Sequence, residues 1–215
     1  CNKLWNGSRY VLMKTEAFAL TSEKPSFSLA DRWIRSQLQQ VIAETSRNIE
    51  HYRFDHAAQT LYDFVWNEYC DWYLELSKPV LWSDDASASQ KHGTLLTLLE
   101  VLETVLRLLH PMMPFITEEI WQNVAPRLHR HGDTIMLAQW PSSDAEEVDT
   151  AAEDDIEWLK TVITAVRTIR SEANIPPGEA LEVLFGNATE IDKANVEKLG
   201  QSLEKMAKVK RTTVL

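Results

Sequence analysis

Apolar and aromatic residues recur at three- and four-residue steps over residues 52–79, which predicts one long helix with an aromatic face. The members of this predicted stripe are Ala58, Leu61, Tyr62, Val65, Tyr69, Trp72 and Leu76. Asp55 is placed to cap the first turn, and Pro79 should end the helix near Ser77 because proline cannot continue the hydrogen-bond pattern. Large aromatic side chains need several neighbours to cover them. The stretch therefore predicts the central helix of a bundle.

Two more helices are predicted before this stretch. In the opening residues, Leu4, Val11 and Leu12 can face a core. After a polar loop, Ser28 and Asp31 form a variant of the capping box that marks the start of a helix. The stripe of that second helix is Leu29, Trp33, Leu38, Val41, Ile42, Thr45 and Ile49, with Arg32, Arg35 and Arg47 predicted to be solvated charges on its other faces.

The chain after Pro79 predicts a surface loop and then two helices. Residues 82–93 are rich in Ser, Asp and Ala, as in an exposed connection, whereas 95–109 are apolar on most of a helix circumference. Pro111 and Pro114 then interrupt the chain before a further helix. The predicted inward residues of that helix are Ile116, Ile120, Trp121 and Val124. Residues 134–137 are predicted to be a short extended piece, after a basic surface loop that contains Arg127, His129, Arg130 and His131.

An acidic run from Asp144 to Glu157 predicts a domain boundary, with a helical bundle over 1–148 and a different unit over 149–215. In the second unit, residues 181–185 alternate as a strand, Gly186 and Asn187 form a turn, and 209–215 predict a returning strand. Its helices are predicted from two apolar sets, Ile156, Leu159, Val162, Val166 and Ile169, then Val196, Leu199, Leu203 and Met206. The predicted fold is mainly α, a helical bundle followed by a small, partial α/β unit.

The charge balance restricts the possible partners. The chain has 22 Lys and Arg against 32 Asp and Glu, a net charge of −10, which excludes an indiscriminate nucleic-acid coat but leaves room for a local RNA contact. Cys1 and Cys70 are too few for a disulfide framework or a zinc site, so we expect a reducing cytoplasm. No apolar run is long enough to cross a bilayer, and no membrane partner is expected.

The sequence contains no pattern typical of catalysis. A glycine-rich phosphate loop, a serine nucleophile elbow and a zinc-protease helix are all missing. The histidine pairs His51 and His56, and His129 and His131, have no further ligands at suitable spacing, so no metal site is predicted. The chain is therefore predicted to bind a partner, with no catalytic residue of its own.

The opening helix carries the candidate binding residues, which combine amides, two cations and a tyrosine on one side: Asn2, Lys3, Asn6, Arg9 and Tyr10. Amides and guanidinium groups hydrogen-bond base edges and phosphates, and an exposed tyrosine can stack on a base. The alternative is an ordinary solvated helix face. Trp5 fits either exposure beside Lys3 and Asn6 or a place in the core.

Six blocks of the sequence resemble, in order, the anticodon-binding region of class I aminoacyl-tRNA synthetases, most closely that of the bacterial valyl enzymes. The blocks are NKLWNGSRYVLM, SLADRWI, YRFDHAAQTLYDFVWNEYCDWYLELSKP, LHPMMPFITEEIWQ, IMLAQWP and VRTIRSEANIPPG. The resemblance implies a fragment of a ligase of protein biosynthesis that joins valine to its tRNA. The HIGH and KMSKS motifs of the ATP- and magnesium-dependent catalytic domain are absent from the chain, so the fragment should be inactive and hold no cofactor.

The resemblance also assigns partners and roles. It implies that the five residues of the opening helix contact the anticodon loop and stem of valine tRNA. It makes Lys160, Arg167 and Arg170 second-tier candidates for phosphate contacts, with ordinary surface charge as the alternative. The rest of the synthetase chain, including a helical arm after residue 215, is the other expected partner, and we expect a cytoplasmic monomer.

Two alternatives stay open from the sequence. A helical protein-interaction scaffold with no RNA role fits the acidic net charge, because phosphates would be repelled. The equivalent domain of an isoleucyl-tRNA synthetase shares the helical architecture. The long motifs in family order favour the RNA-binding hypothesis over both.

Overall fold

The computed structural model describes residues 1–20, 24–176 and 178–215. It confirms a mainly helical fold with a small α/β unit. Contacts divide the chain into two compact units, Cys1–Asp149 and Thr150–Leu215, and the predicted boundary lies one residue before this division. None of the described helices is both long enough and apolar enough to cross a bilayer.

The first unit is built from helices. They are α1 (Asn2–Lys14), α2 (Leu29–Glu50), α3 (Phe54–Asp63), a π-helical segment (Phe64–Tyr73), α4 (Leu74–Trp82), α5 (Ala88–Leu109) and α6 (Pro114–Val124). Single 3-10 turns lie at Ala125–Leu128, Ile135–Leu137 and Ala145–Glu147. The predicted extended piece at 134–137 is therefore wrong. The Thr134 hydroxyl accepts a hydrogen bond from the Met136 amide and turns the chain instead.

The predicted central helix is continuous, but its middle is wound as a π-helix. Each turn of a π-helix takes up an extra residue, so the buried face advances relative to an α-helical pattern. Within the π-helical segment the buried side chains are Phe64, Val65, Tyr69 and Tyr73, and the flanking α-helical turns bury Ala57, Leu61, Leu74 and Leu76. Three predicted members of the stripe are wrong, since Ala58 and Tyr62 are exposed and Trp72 is half-buried.

Both predicted ends of the central helix are wrong. Arg53 is the N-cap residue, and Asp55 lies in the first turn without making a capping hydrogen bond. Pro79 lies inside α4, which continues to Trp82. The packing of Leu74, Leu76 and Ser77 in the core holds this turn, and the Ser77 hydroxyl donates a hydrogen bond to the Leu74 carbonyl oxygen at 2.8 Å. The free energy gained by burying these side chains exceeds the cost of the one backbone hydrogen bond that Pro79 removes from the helix.

A buried carboxylate joins three elements at the centre of the unit. Asp31 of α2 accepts hydrogen bonds from the Tyr73 hydroxyl at 2.7 Å, the Thr94 hydroxyl at 2.8 Å and the Ser28 amide at 2.8 Å. The predicted capping box is thereby confirmed, because the Ser28 hydroxyl also accepts from the Asp31 amide. Burial raises the pKa of the Asp31 carboxyl, and its hydrogen-bond donors oppose that rise.

Helix α5 begins well before the predicted start, so the predicted loop at 82–93 is wrong in its second half. Ser87 and Gln90 form a capping box that begins the helix at Ala88. About one turn later, the helix contains Gly93. A Cβ at this position would lie 2.3 Å from the carbonyl oxygen of Ser26, in the segment that crosses this face of the helix, so only glycine fits. The pattern of apolar residues alone does not reveal this first part of α5, because its residues are mostly polar.

Most arginines of the first unit bind protein groups, which corrects two predictions. Arg35 pairs with Glu100 at 2.5 Å, and Arg32 pairs with Asp149 at 3.2 Å, so neither is simply a solvated charge. In the predicted basic loop, Arg130 pairs with the buried Glu103, which also accepts from the Trp121 ring N–H at 2.9 Å. These three guanidinium groups are therefore already engaged in ion pairs within the protein.

The second unit consists of α7 (Thr150–Glu172), β1 (Leu181–Phe185), α8 (Glu190–Ala207) and β2 (Val209–Val214). The two strands pair in parallel, from Leu181 opposite Val209 to Phe185 opposite Val214, and α8 makes the crossover between them. The predicted strands are confirmed. The inward position of Ile169 is wrong, because its side chain is 58% exposed and Arg170 takes the buried position beside it.

We predict that Tyr73→Phe lowers the free energy of unfolding by about 1.5–3 kcal/mol at neutral pH, because a buried carboxylate loses a donor. Since the Tyr73 hydrogen bond lowers the pKa of Asp31, its loss raises that pKa further. The penalty should shrink once the pH falls below the folded-state pKa, where the protonated carboxyl no longer needs the donor.

Urea denaturation at neutral and acidic pH measures this difference. Tyr52→Phe is the matched control, because Tyr52 is 83% exposed and should unfold like the parent at both pH values. Equal stability of Tyr73→Phe and the parent at neutral pH would contradict the role given to the buried carboxylate.

Candidate nucleic-acid interface

Three of the five predicted contact residues lie together on the open face of α1. Asn2, Asn6 and Arg9 are exposed, and their spacing of four and three residues puts them on one side of the helix. Their side chains have no hydrogen bond or ion pair to any residue that the structure describes. We call this set the α1 open face.

Arg9 differs in this respect from the other arginines of the first unit. Every other one makes a hydrogen bond or ion pair with a protein group. Within the described part of the chain, Arg9 is the one arginine of this unit whose five donors are all unused. It is available to a partner without first breaking an internal contact.

The other two predicted residues, Lys3 and Tyr10, are only partly exposed and border the open face. The Lys3 ammonium lies 2.6 Å from the Asp71 carboxylate and 4.3 Å from the centroid of the Trp66 ring. Its charge is therefore already compensated. The Tyr10 hydroxyl is buried, and burial raises its pKa although the nearby Ser77 hydroxyl opposes this. Tyr10 can offer a partner only part of its ring.

The position of α1 depends on small residues that the hydrophobic pattern did not single out. Gly7 and Ser8 are buried with Leu4 and Val11, and a Cβ on Gly7 would lie 3.1 Å from the Cys70 sulfur. Close approach of the helix to the π-helical segment therefore needs the glycine. Burial raises the pKa of the Cys70 thiol to about 11, as expected for a thiol that only packs.

Arg127 fixes the other end of α1. Its guanidinium donates to the Leu12 carbonyl oxygen at 2.6 Å and to the Thr15 hydroxyl at 2.7 Å. A cation at this position also compensates the negative end of the helix dipole. The sequence prediction of Arg127 as a surface-loop cation missed this role.

Exposed aromatic rings border the α1 open face at its N-terminal end. Tyr62 and Trp66 stack with their centroids 5.3 Å apart and an interplanar angle of 15°, and Lys3 lies over the Trp66 ring. Trp5 is 42% exposed, which decides its ambiguous position in favour of partial exposure. The sequence pattern placed Tyr62 in the core, but the buried residues of α3 are Ala57 and Leu61, and Tyr62 lies outside this narrower stripe.

The second-tier candidates of the second unit divide into two groups. Arg170 is buried, and its guanidinium donates to the carbonyl oxygens of Glu179, Ala207 and Lys208 at 2.6–3.1 Å. It cannot bind phosphate while it holds these groups, so its prediction is wrong. Lys160 lies 3.1 Å from a Glu157 carboxylate oxygen and is largely covered, whereas Arg167 is exposed.

Possible metal ligands do not assemble in the described residues, where no three His, Cys, Asp or Glu side chains come together as an ion site would need. The site chemistry consists of exposed amides, a guanidinium and aromatic rings. These groups recognise phosphates and unstacked bases.

A family model for the anticodon-binding domain of tRNA ligases matches residues 31–185. The chain belongs to this family. The match covers most of both units, and the sequence resemblance to the synthetase region is confirmed. Helix α1 precedes the matched range, so its assignment depends on individual relatives.

Similarity to two curated relatives extends beyond the residues that the family model matches. The valine–tRNA ligase of Coxiella burnetii is 50% identical over 210 residues, 97% of this chain and 23% of that protein. The valine–tRNA ligase of Legionella pneumophila is 44% identical over 217 residues, 100% of this chain and 24% of that protein. The chain spans about a quarter of the length of these relatives.

A solved structure was also matched. A chain of the LeuRS–tRNA–LeuAMS ternary complex from Agrobacterium radiobacter has a TM-score of 0.49 and 16% identity, and the match covers 100% of this chain and 24% of that one. The score is too low to support a conclusion of its own. None of these matches favours the alternative of a protein-interaction scaffold.

We predict that Arg127→Ala lowers the free energy of unfolding by about 1.5–3 kcal/mol, since the half-buried Leu12 carbonyl oxygen and the hydroxyl of the buried C-cap residue Thr15 lose a charged donor. Arg47→Ala is the matched control: it removes an exposed arginine paired only with Glu44, and should cost less than about 1 kcal/mol. Urea denaturation followed by circular dichroism measures both. If the two variants unfold alike, Arg127 does not fix the end of α1.

Proposed function

We propose that this chain is the anticodon-binding region of a valine–tRNA ligase and that the α1 open face contacts the anticodon loop of valine tRNA. The observation that carries the proposal is the exposed Arg9 guanidinium, which no described residue pairs with, on the same helix face as Asn2 and Asn6, in a chain that belongs to the anticodon-binding family. The names and identities of the two relatives support the choice of valine.

The chemistry of the open face suits a single-stranded loop. The Asn2 and Asn6 amides can each donate and accept, which base edges require, and the planar Arg9 guanidinium can bind a phosphate or a guanine edge through two parallel hydrogen bonds. Because one helical turn rises about 5.4 Å, these groups are offered in succession along the loop. Lys3 and the exposed part of Tyr10 border the same path.

The net charge of −10 restricts where the RNA can lie. Phosphates are repelled by most of the surface, so binding energy must come from a few well-placed groups. The acidic segment around residues 144–157 is the least favourable approach. Binding that depends on a few contacts is more selective than binding by a uniform cationic surface.

The remaining functions belong to the longer protein. We propose that it ligates valine to tRNA with ATP and magnesium bound upstream, so that this region is inactive alone and holds no cofactor. Anticodon binding would position the acceptor end of the tRNA in the distant catalytic site. We also propose that the protein is a monomer in the cytoplasm. Lys160 and Arg167 would make secondary contacts with tRNA phosphates.

We predict that Arg9→Ala in the full-length ligase weakens valine tRNA binding by about 1–3 kcal/mol. The salt dependence of affinity should also become shallower by about 0.7 in the log–log slope if Arg9 contacts a phosphate. Arg9 is exposed and makes no hydrogen bond or ion pair with a described residue, so the fold should be unchanged.

Fluorescence anisotropy with labelled tRNA across a salt series measures both effects, and circular dichroism checks the fold. Arg47→Ala removes the same charge from an exposed position on α2 and should bind like the parent. Arg9→Ala with parental affinity and an intact fold would remove Arg9 from the interface.

A further inference from the structure

Two lysines and two aromatic rings from α1 and α4 lie close together. Tyr10 and Lys14 are one turn apart on α1, and Lys78 and Trp82 are one turn apart on α4. The Lys14 ammonium lies 5.9 Å from the Tyr10 centroid and 5.4 Å from the Trp82 centroid. The Lys78 ammonium lies 5.9 and 5.7 Å from the same two rings. We call these four residues the α1–α4 cluster.

The cluster carries uncompensated positive charge. Lys78 pairs with Glu75, but Lys14 has no hydrogen bond or ion pair with any described residue. Two ammonium groups held near the same rings repel each other, and contact with the rings at an exposed site offsets only part of that repulsion. A bound anion would neutralise this repulsion between the two ammonium groups. A single solvated lysine has no such repulsion for an anion to relieve.

Trp82 gives the cluster an open aromatic surface. It is the last residue of α4 and 62% exposed, although tryptophan is usually among the most buried side chains. It stands there only because α4 continues past Pro79. A solvated indole next to two ammonium groups is the combination that binds a nucleotide, with the base on the ring and the phosphate on the cations.

From this arrangement we propose that the α1–α4 cluster is a second RNA subsite, which binds one unpaired nucleotide of the tRNA by stacking its base on Trp82 and pairing its phosphate with Lys14 and Lys78. The proposal rests on the proposed function, because it needs the tRNA at the adjacent α1 open face. Tyr10 borders both surfaces, so a continuous strand can contact Arg9 and Trp82.

Acidic neighbours set the strength of this subsite. Glu75 offsets one lysine charge, and the exposed Asp84 and Asp85 follow Trp82 in the next loop. These carboxylates reduce the affinity for free phosphate. The site should therefore depend on base stacking as well as charge, and contribute only when the α1 open face has already bound the loop.

The first test uses the full-length ligase and labelled valine tRNA in an anisotropy titration. Trp82→Ala should weaken binding about 5- to 100-fold, whereas Trp82→Phe keeps an aromatic surface and should retain most of the affinity. Phe115→Ala is the matched control, because it removes a ring that is 90% exposed elsewhere in the first unit and should leave affinity unchanged.

The second test removes charge without touching the indole. Lys14→Gln should weaken binding several-fold and make the log–log salt slope shallower by about 0.7, as for the loss of one single-strand phosphate contact. Lys193→Gln, an exposed lysine of α8 paired with Glu190, is the control and should change neither quantity. This variant also keeps the proposal testable if a Trp82 variant folds poorly.

The outcomes separate the subsite from the proposed function. Parental affinity in both Trp82→Ala and Lys14→Gln, together with weak binding by Arg9→Ala, would overturn the subsite and leave the α1 open face in place. A parent enzyme with no affinity for valine tRNA would overturn both. Weak binding by Trp82→Ala and Lys14→Gln, with parental binding by the two controls, would establish the subsite.

Discussion

The buried carboxylate of Asp31 is the constraint on which the first unit depends. A charge removed from water is tolerated only when donors surround it, and here Ser28, Tyr73 and Thr94 supply them. These contacts fix α2, the π-helical segment and α5 relative to one another. Tyr73 is the last residue of the π-helical segment, so the same contact sets the surface against which Gly7 places α1.

The candidate interface is the part of the first unit that remains suitable for RNA once engaged cations and acidic surface are set aside. Most arginines of the first unit are held by carboxylates or carbonyl groups, and the acidic surface repels phosphates. Small and apolar residues form the inner side of α1, and no described residue takes up the donors of the α1 open face on its outer side. A rigid helix that presents a few unpaired groups can read a flexible loop with little loss of its own entropy.

Local rules predicted much of this fold. The capping box at Ser28, the helix after Pro114 and the strands of the second unit follow from short-range chemistry. The π-helical winding did not follow, because it depends on packing around Tyr69 and Tyr73, and it brings Tyr73 rather than Trp72 into the core. Arg170 was misjudged because only the fold brings the carbonyl oxygens of Ala207 and Lys208 to it. In the candidate site, residue type predicted Arg9 as a contact, whereas the ion pair of Lys3 with Asp71 joins residues far apart in the sequence and follows only from the fold.

The central claim is that this region reads an anticodon. The most direct test is the affinity of the full-length ligase for valine tRNA, compared with the same tRNA carrying a replaced anticodon, at several salt concentrations. If this region reads the anticodon, the native tRNA binds more tightly than the altered one at every salt concentration, and both affinities fall as salt rises. Equal affinities for the two tRNAs throughout the series would contradict it.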